Sequence, residues 1–287
     1  MQEIARGIYL ETLFPGVTLG AISLAHGLVL VDAPPRPDDT RTWRSMLLNL
    51  GGGVDRLLVN LDSHYDRTLG ARSMECTVVA HEKTGQAYQN RPATFKGQAG
   101  ETGAEWELIS GIGPLRWAPP ELTFTHSMTI HWGEEAIRLE YHPGPDSGAI
   151  WALIPGVRVA FIGDVVIPDQ PPFLAEADLD AWMETLELLL SPLYSSYFLV
   201  GGRSGLVPQE QVRRQIFYLT EVSRLAAQAG ELGLKPEAAA EEMIPPLLGL
   251  QDIPASRRKQ YSQRLRWGLC RYLRGDRREI QVDEEIE

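Results

Sequence analysis

Arg56-Leu57-Leu58-Val59-Asn60 is a nearly continuous apolar run that delivers the chain straight into a polar turn, Asp62-Ser63-His64-Tyr65-Asp66-Arg67. Such a run suits a strand covered on both faces, because a strand with one wet face alternates apolar and polar residues. The strand therefore belongs inside a layered fold. At its end the turn gathers side chains able to bind metals, protons or anions.

The flanking sequence supplies the layers. Ile8-Tyr9-Leu10 and the run 17–24 read as short strands punctuated by Pro15-Gly16, and 27–32 as a third that stops at Ala33-Pro34-Pro35. Asp38-Asp39 caps a helix running through Trp43 to Leu50, which Gly51-Gly52-Gly53 ends. A strand over 76–80 and a helix from Glu82 follow. Residues 96–120, rich in Gly and Pro, read as a loop with at most a short helix. Strands return at 122–124, 128–131, 137–141, 149–154 and 157–162, and helical patterns at 179–190, 208–230, 236–248 and 255–273. Strands with a helix, given twice, predict an α/β (α+β) fold of two sheets packed face to face in layers α-β-β-α. Residues 1–208 are expected to form this sandwich and 209–287 a helical C-terminal extension packed on it.

Charge and cysteine usage narrow the function. A net charge of -11 argues against a general nucleic-acid role, which needs a cationic face. The two cysteines, Cys76 and Cys270, are far apart and in no C-x-x-C arrangement, which argues against a zinc ribbon or a disulfide framework. The start of the chain lacks the apolar run of a signal peptide, and no stretch is apolar enough to span a membrane. The expectation is a cytoplasmic protein with a small-molecule ligand, no nucleic-acid or membrane partner, and room for a homo-oligomer.

Four segments in order carry a resemblance. The first runs from Val59 through Asp62-Ser63-His64-Tyr65-Asp66-Arg67 to Gly70. The second is Gly144-Pro145-Asp146-Ser147-Gly148, the third Val159-Ala160-Phe161-Ile162-Gly163-Asp164, and the fourth Phe198-Leu199-Val200-Gly201-Gly202-Arg203-Ser204-Gly205. Together they resemble the metallo-β-lactamase superfamily. Its members have H-x-H-x-D-H after a buried strand, then G-H-T-x-G, then G-D, then a histidine in a glycine-flanked turn. The resemblance covers about residues 1–208 and implies the four-layer α-β-β-α sandwich and hydrolase-like chemistry. It also implies metal ligands at Asp62, His64, Asp66 and Asp164. The family's first histidine is Asp62 here, and three others are Arg67, Pro145 and Arg203.

Those replacements are informative. Arginine carries only donors and stays protonated, so Arg67 and Arg203 cannot replace imidazoles, and proline offers no ligand at all. Without a second metal, Asp66 and Asp164 would repel each other. Two guanidiniums supply the missing positive charge, so Arg67 and Arg203 are expected to fill that site as a buried ion-pair network. The first site keeps Asp62 and His64, borrows Asp164 and has Asp146 nearby. That set suits Mn²⁺, Fe²⁺ or Mg²⁺ at least as well as Zn²⁺. The expected cofactor is therefore none, or one divalent ion weakly bound.

Tyr65 and His142 are placed beside the cleft with Arg67, Arg203 and Asp146, and Phe173 is read as core or cleft wall. In the tail, Arg257, Arg258, Lys259, Arg264, Arg266, Arg271, Arg274, Arg277 and Arg278 cluster in an otherwise acidic chain. Tyr261, Leu265, Leu269, Tyr272 and Leu273 give an apolar stripe. That pattern reads as a solvated helix lying on the acidic body, with an anionic-ligand or partner surface as the alternative. Three functions stay open. One is a hydrolase-like enzyme with at most one metal, which still activates water. Another is a non-catalytic protein binding a ligand in the old cleft. The third is a metal-free enzyme using Asp66 or His64 as general base.

Overall fold

The computed structural model describes residues 1–96 and 101–275. Arg277 and Arg278 of the basic tail lie outside the described residues.

The chain opens with β1 (Gln2–Ala5), β2 (Ile8–Glu11), β3 (Leu19–Ser23) and β4 (Gly27–Val31), an antiparallel run. Helix α1 (Pro37–Leu47) crosses to β5 (Asp55–Val59), which lies parallel to β4. A four-residue helix, α2 (Tyr65–Thr68), leads to β6 (Thr77–His81), parallel to β5, and to α3 (Glu82–Gln89). The pair β7 (Thr94–Phe95) and β8 (Leu115–Arg116) forms a small separate sheet before β9 (Leu122–Phe124) completes the first sheet beside β6. The second sheet runs in chain order: β10 (Ser127–Ile130), β11 (Ile137–Tyr141), β12 (Ile150–Ile154), β13 (Val159–Gly163), β14 (Phe198–Gly201) and β15 (Gly205–Val207). Helix α4 (Leu179–Leu190) is the crossover that makes β14 parallel to β13. The tail is α5 (Gln209–Glu231), α6 (Pro236–Gly249) and α7 (Arg258–Arg274).

The layers follow from strand alternation. Val29, Val31 and Val59 meet Ile150, Ala152, Val159 and Phe161 between the sheets. The alternate residues of β4, Leu28 and Leu30, face outward onto Trp43 and Leu47 of α1. On the opposite side Trp151, Leu153, Ala160 and Ile162 pack against Trp182 and Leu186 of α4 and Leu219 of α5. Successive side chains point to opposite faces, so a strand buried on both must be apolar throughout. All five residues of β4, β12 and β13 are buried. The structure is thus the expected α-β-β-α sandwich.

Leu265 and Leu269, members of the stripe read from sequence, lie in the same core as Leu153 and Leu199. Helix α7 departs from expectation at Arg264. It is 1% exposed, so this residue is no part of a solvated face. No helix among the described residues is long and apolar enough to cross a membrane.

Candidate functional site

Strand ends build the site. Asp32 follows β4, Asp62 and His64 follow β5, Asp164 follows β13 and Arg203 follows β14. Asp32 adopts a left-handed conformation (φ 58°) in which its Oδ1 accepts the Leu61 amide at 3.0 Å. Aspartate tolerates that region better than most residues. His64 caps α2, its Nδ1 accepting the Asp66 amide at 3.3 Å.

Arg67 lies entirely inside the protein. Its Nη1 donates to Asp32 Oδ2 at 3.3 Å, its Nε lies 3.1 Å from Asp62 Oδ1, and its Nη2 meets Asp164. Arg203 lies above it, with a side chain 1% exposed. Its Nη1 donates to Asp66 Oδ2 at 2.6 Å and to Glu105 Oε2 at 2.9 Å, and its Nε donates to Asp164 Oδ2 at 2.9 Å. Its Nη2 lies 3.1 Å from His64 Nδ1. Arg264 of α7 joins from the far side, its Nη2 donating to Glu105 Oε1 at 2.6 Å. Gly202 makes the tight layering feasible: a Cβ there would fall 2.6 Å from Arg67 Nη1 and 2.8 Å from Asp164 Oδ1.

Five carboxylates (Asp32, Asp62, Asp66, Glu105, Asp164) thus face three guanidiniums among the described residues. Full ionisation would bury excess negative charge, so the carboxylates share the deficit unequally. Burial would raise Asp164, but Arg203 and Arg67 hold it well below the usual carboxylate range. At Asp62 burial prevails over Arg67, with Asp164 and Asp146 adding to it, and its carboxyl is pushed up to about 8. Burial, opposed by Arg67 and Arg203 respectively, raises Asp32 and Asp66 to about 6.

The residues expected in catalysis sit differently from that expectation. Asp66 is fully buried, with Oδ1 accepting the Trp106 amide at 2.7 Å and Oδ2 held by Arg203, so neither oxygen is free to take a substrate proton. His64 does line the cleft, its ring 4.4 Å from that of Phe173. Its Nδ1 lone pair receives Arg203 and the Asp66 amide, which leaves the proton on Nε2. Burial, then Arg203, lowers its pKa well below the ordinary value, so it presents a neutral N–H, a donor rather than a base.

The cleft is a cavity of about 580 Å³ lined by Asp62, His64, Tyr65, Trp106, Asp146 and Phe173, among others. Arg67 and Arg203 lie beneath its wall, a correction to their reading as cleft-lining residues: three carboxylates hold each one under the surface. His142 also turns elsewhere, its ring stacked 3.8 Å from Trp151 and its Nε2 3.4 Å from Glu140. Asp146 is tied down by Ser63 Oγ and the Gly148 amide, both at 2.7 Å. Tyr65 packs against Phe95, Trp106 and Trp117, with Arg91 4.4 Å above its ring.

Glu105, Asp32 and Arg264 are the network members sequence reasoning missed. Glu105 sits in a segment without periodicity and left no signal. Arg264 had one: it falls three residues after Tyr261 and next to Leu265, on the buried stripe.

A divalent metal does not fit this arrangement. Arg67 already engages Asp62 Oδ1 and Asp164 Oδ1, and Arg203 engages Asp164 Oδ2 and Asp66 Oδ2. No group of three or more His, Cys, Asp or Glu among the described residues is arranged to hold an ion.

The model of the metallo-beta-lactamase superfamily matches residues 63–201. Among solved structures, the chain is similar to a metallo-beta-lactamase from Pontibacter korlensis (16% identity, TM-score 0.61, covering 76% of this chain and 97% of that one). It is similar to a metallo-beta-lactamase family protein from Thermus thermophilus (18%, 0.65, covering 96% and 95%). It also resembles the stereoselective inverting sec-alkylsulfatase Pisa1 from Pseudomonas sp. (17%, 0.67, covering 95% of this chain and 49% of that one). A comparison with curated protein sequences found no match. Identities this low speak to fold alone. Residues 63–201 carry the superfamily's sequence pattern, and the chain has the metallo-β-lactamase fold.

Proposed function

We propose that this hydrolase-like protein has a degenerate metal site in which Arg67 and Arg203 replace the metals, and that its cleft binds a small molecule without conventional binuclear zinc chemistry. The observation that carries this reading is Arg203, buried and bridging Asp66, Asp164 and Glu105. A guanidinium there supplies fixed positive charge and planar donors in place of a cation. It is also tied to five partners, counting His64 and the Gly16 carbonyl, so moving it aside for a metal would strip several buried acceptors at once. The mononuclear alternative needs Asp62 and Asp164 turned away from Arg67, which the ion pairs oppose.

Elemental analysis of tag-free protein tests this, read together with zinc titration followed by melting temperature. The expected result is less than one tightly held equivalent and no stabilisation by zinc in the wild type. Arg67→His combined with Arg203→His restores imidazoles beside the carboxylates and is expected to gain stability when zinc is added. Even one tightly bound zinc ion per chain in the wild-type protein would overturn the reading.

A further inference from the structure

Behind the loop that follows β13 lies a second cavity of about 210 Å³ between α5 and the end of α6, sharing only Ile167 with the lining of the cleft. Three residues of its wall each carry a buried polar atom with no protein partner: Gln215 Nε2, Tyr218 Oη and Gln251 Oε1. Tyr218 is 3% exposed and Gln215 4%. The other end of each amide is committed. Gln215 Oε1 accepts the Ile167 amide at 3.2 Å, and Gln251 Nε2 donates to the Gln170 carbonyl at 2.8 Å. Those bonds fix which atom of each amide remains available: a donor on Gln215, an acceptor on Gln251, and a hydroxyl on Tyr218 that can act either way. Phe217 and Leu250 belong to the same wall and are 55% and 41% exposed, an apolar lip over a polar floor.

Buried polar groups without partners are few in folded proteins, and each costs stability until it is met. Three such atoms on residues that line one small cavity, with complementary polarity, point to a site. We propose that this cavity binds a neutral primary carboxamide carried on an apolar body. The ligand carbonyl would accept from Gln215 Nε2, its amide nitrogen would donate to Gln251 Oε1, and Tyr218 Oη would bond either end. The apolar body would rest on Phe217 and Leu250. A carboxylate fits worse, since it has no hydrogen to give Gln251 Oε1 and would set its charge beside Asp169 and Asp252, with Arg214 the one cation on the same wall. A tertiary amide fails for want of N–H.

Benzamide is the smallest suitable probe, with benzoate and N,N-dimethylbenzamide as matched controls. Titration of isotope-labelled full-length protein is followed at the backbone amide of Ile167, which Gln215 holds. Saturable shifts are expected with benzamide and none with either control. Tyr218→Phe removes only a hydroxyl with no protein partner. It should keep the wild-type melting temperature or raise it, while weakening benzamide about fivefold, the worth of one ordinary hydrogen bond. The absence of saturable benzamide binding, equal binding of all three compounds, or an affinity unchanged in Tyr218→Phe would each overturn the proposal.

Discussion

At the scale of single residues, the argument turns on what a buried guanidinium does for the carboxylates around it. Arg203→Ala leaves Asp66, Asp164 and Glu105 without their shared counter-charge. Breaking a buried pair by removing one partner typically costs about 3–5 kcal/mol. Urea denaturation should show a loss in that range, with Arg203→Lys intermediate, because an ammonium keeps the charge but not the planar fork. An Arg203→Ala protein as stable as wild type would mean the network contributes nothing net.

The protons of the same network give a second residue-scale prediction. Folded Asp62 holds its proton up to about pH 8, whereas unfolded aspartate loses it near 3.9. The folded state therefore binds the extra proton, and the stability it contributes is complete below about pH 4 and lost as pH rises through about 8. His64 works in the opposite sense. Its lowered folded pKa contributes stability above about pH 6.5 that is lost on acidification. Asp62→Asn isolates the first effect, since an amide oxygen still accepts the His64 amide and carries no proton to lose. The stability of wild type relative to Asp62→Asn should fall steadily from pH 5 to pH 8.5. A difference that stays flat across that window would take the proton away from Asp62.

At the scale of elements, strands and long helices were legible because their periodicity records which faces are buried. The helix expected over 179–190 is α4 residue for residue, and β11 spans 137–141 as read. The polar turn after β5 was harder, since its first helical turn, α2, is too short for periodicity and depends on His64 as cap. Residues 96–120 gave only a loop. That segment contributes Glu105 to the network and buries Trp106 and Trp117, contacts that depend on α7 and α2 rather than on local pattern. The site's chemistry was thus readable where a family motif marked it, as at Asp62, Asp164 and Arg203. It was opaque where a distant helix completed it, as at Arg264.

The docking of α7 supplies the prediction that belongs to this scale. Gly103 has φ +67°, and its carbonyl accepts from Gln260 Nε2 and from Arg264 Nε and Nη2. A Cβ there would sit 2.6 Å from the Gln260 carbonyl and 2.7 Å from the Arg264 amide, both helix backbone that cannot yield alone. Gly103→Ala should therefore cost more than the roughly 1–2 kcal/mol of a left-handed alanine, and should open α7 to limited proteolysis. Gly230→Ala is the control. Gly230 lies within α5 with nothing within 4 Å of an added Cβ, so it should stabilise by about 0.5–1 kcal/mol.

At the scale of the whole molecule, the question is whether residues 209–287 are an appendage or part of the fold. The outer face of the second sheet answers physically. Trp151, Leu153, Ile162 and Leu199 share one continuous core with Tyr218, Leu219 and Val222 of α5, Met243 and Leu247 of α6, and Leu265 and Leu269 of α7. Ending the chain at residue 208 would return part of that apolar face to water, at roughly 25 cal/mol for each Å² exposed. It would also leave Glu105 without Arg264, an uncompensated carboxylate at the edge of the arginine network. Folding stabilities are only about 5–15 kcal/mol, so losses of both kinds together are expected to unfold the sandwich. The full chain is accordingly expected to unfold in urea as one transition, with tryptophan fluorescence and far-ultraviolet circular dichroism coinciding. Residues 1–208 expressed alone should lack the near-ultraviolet dichroism of packed aromatic side chains. Two separated transitions in the full chain, or a 1–208 fragment with native near-ultraviolet dichroism, would make the tail an independent unit and place the sandwich's stability elsewhere.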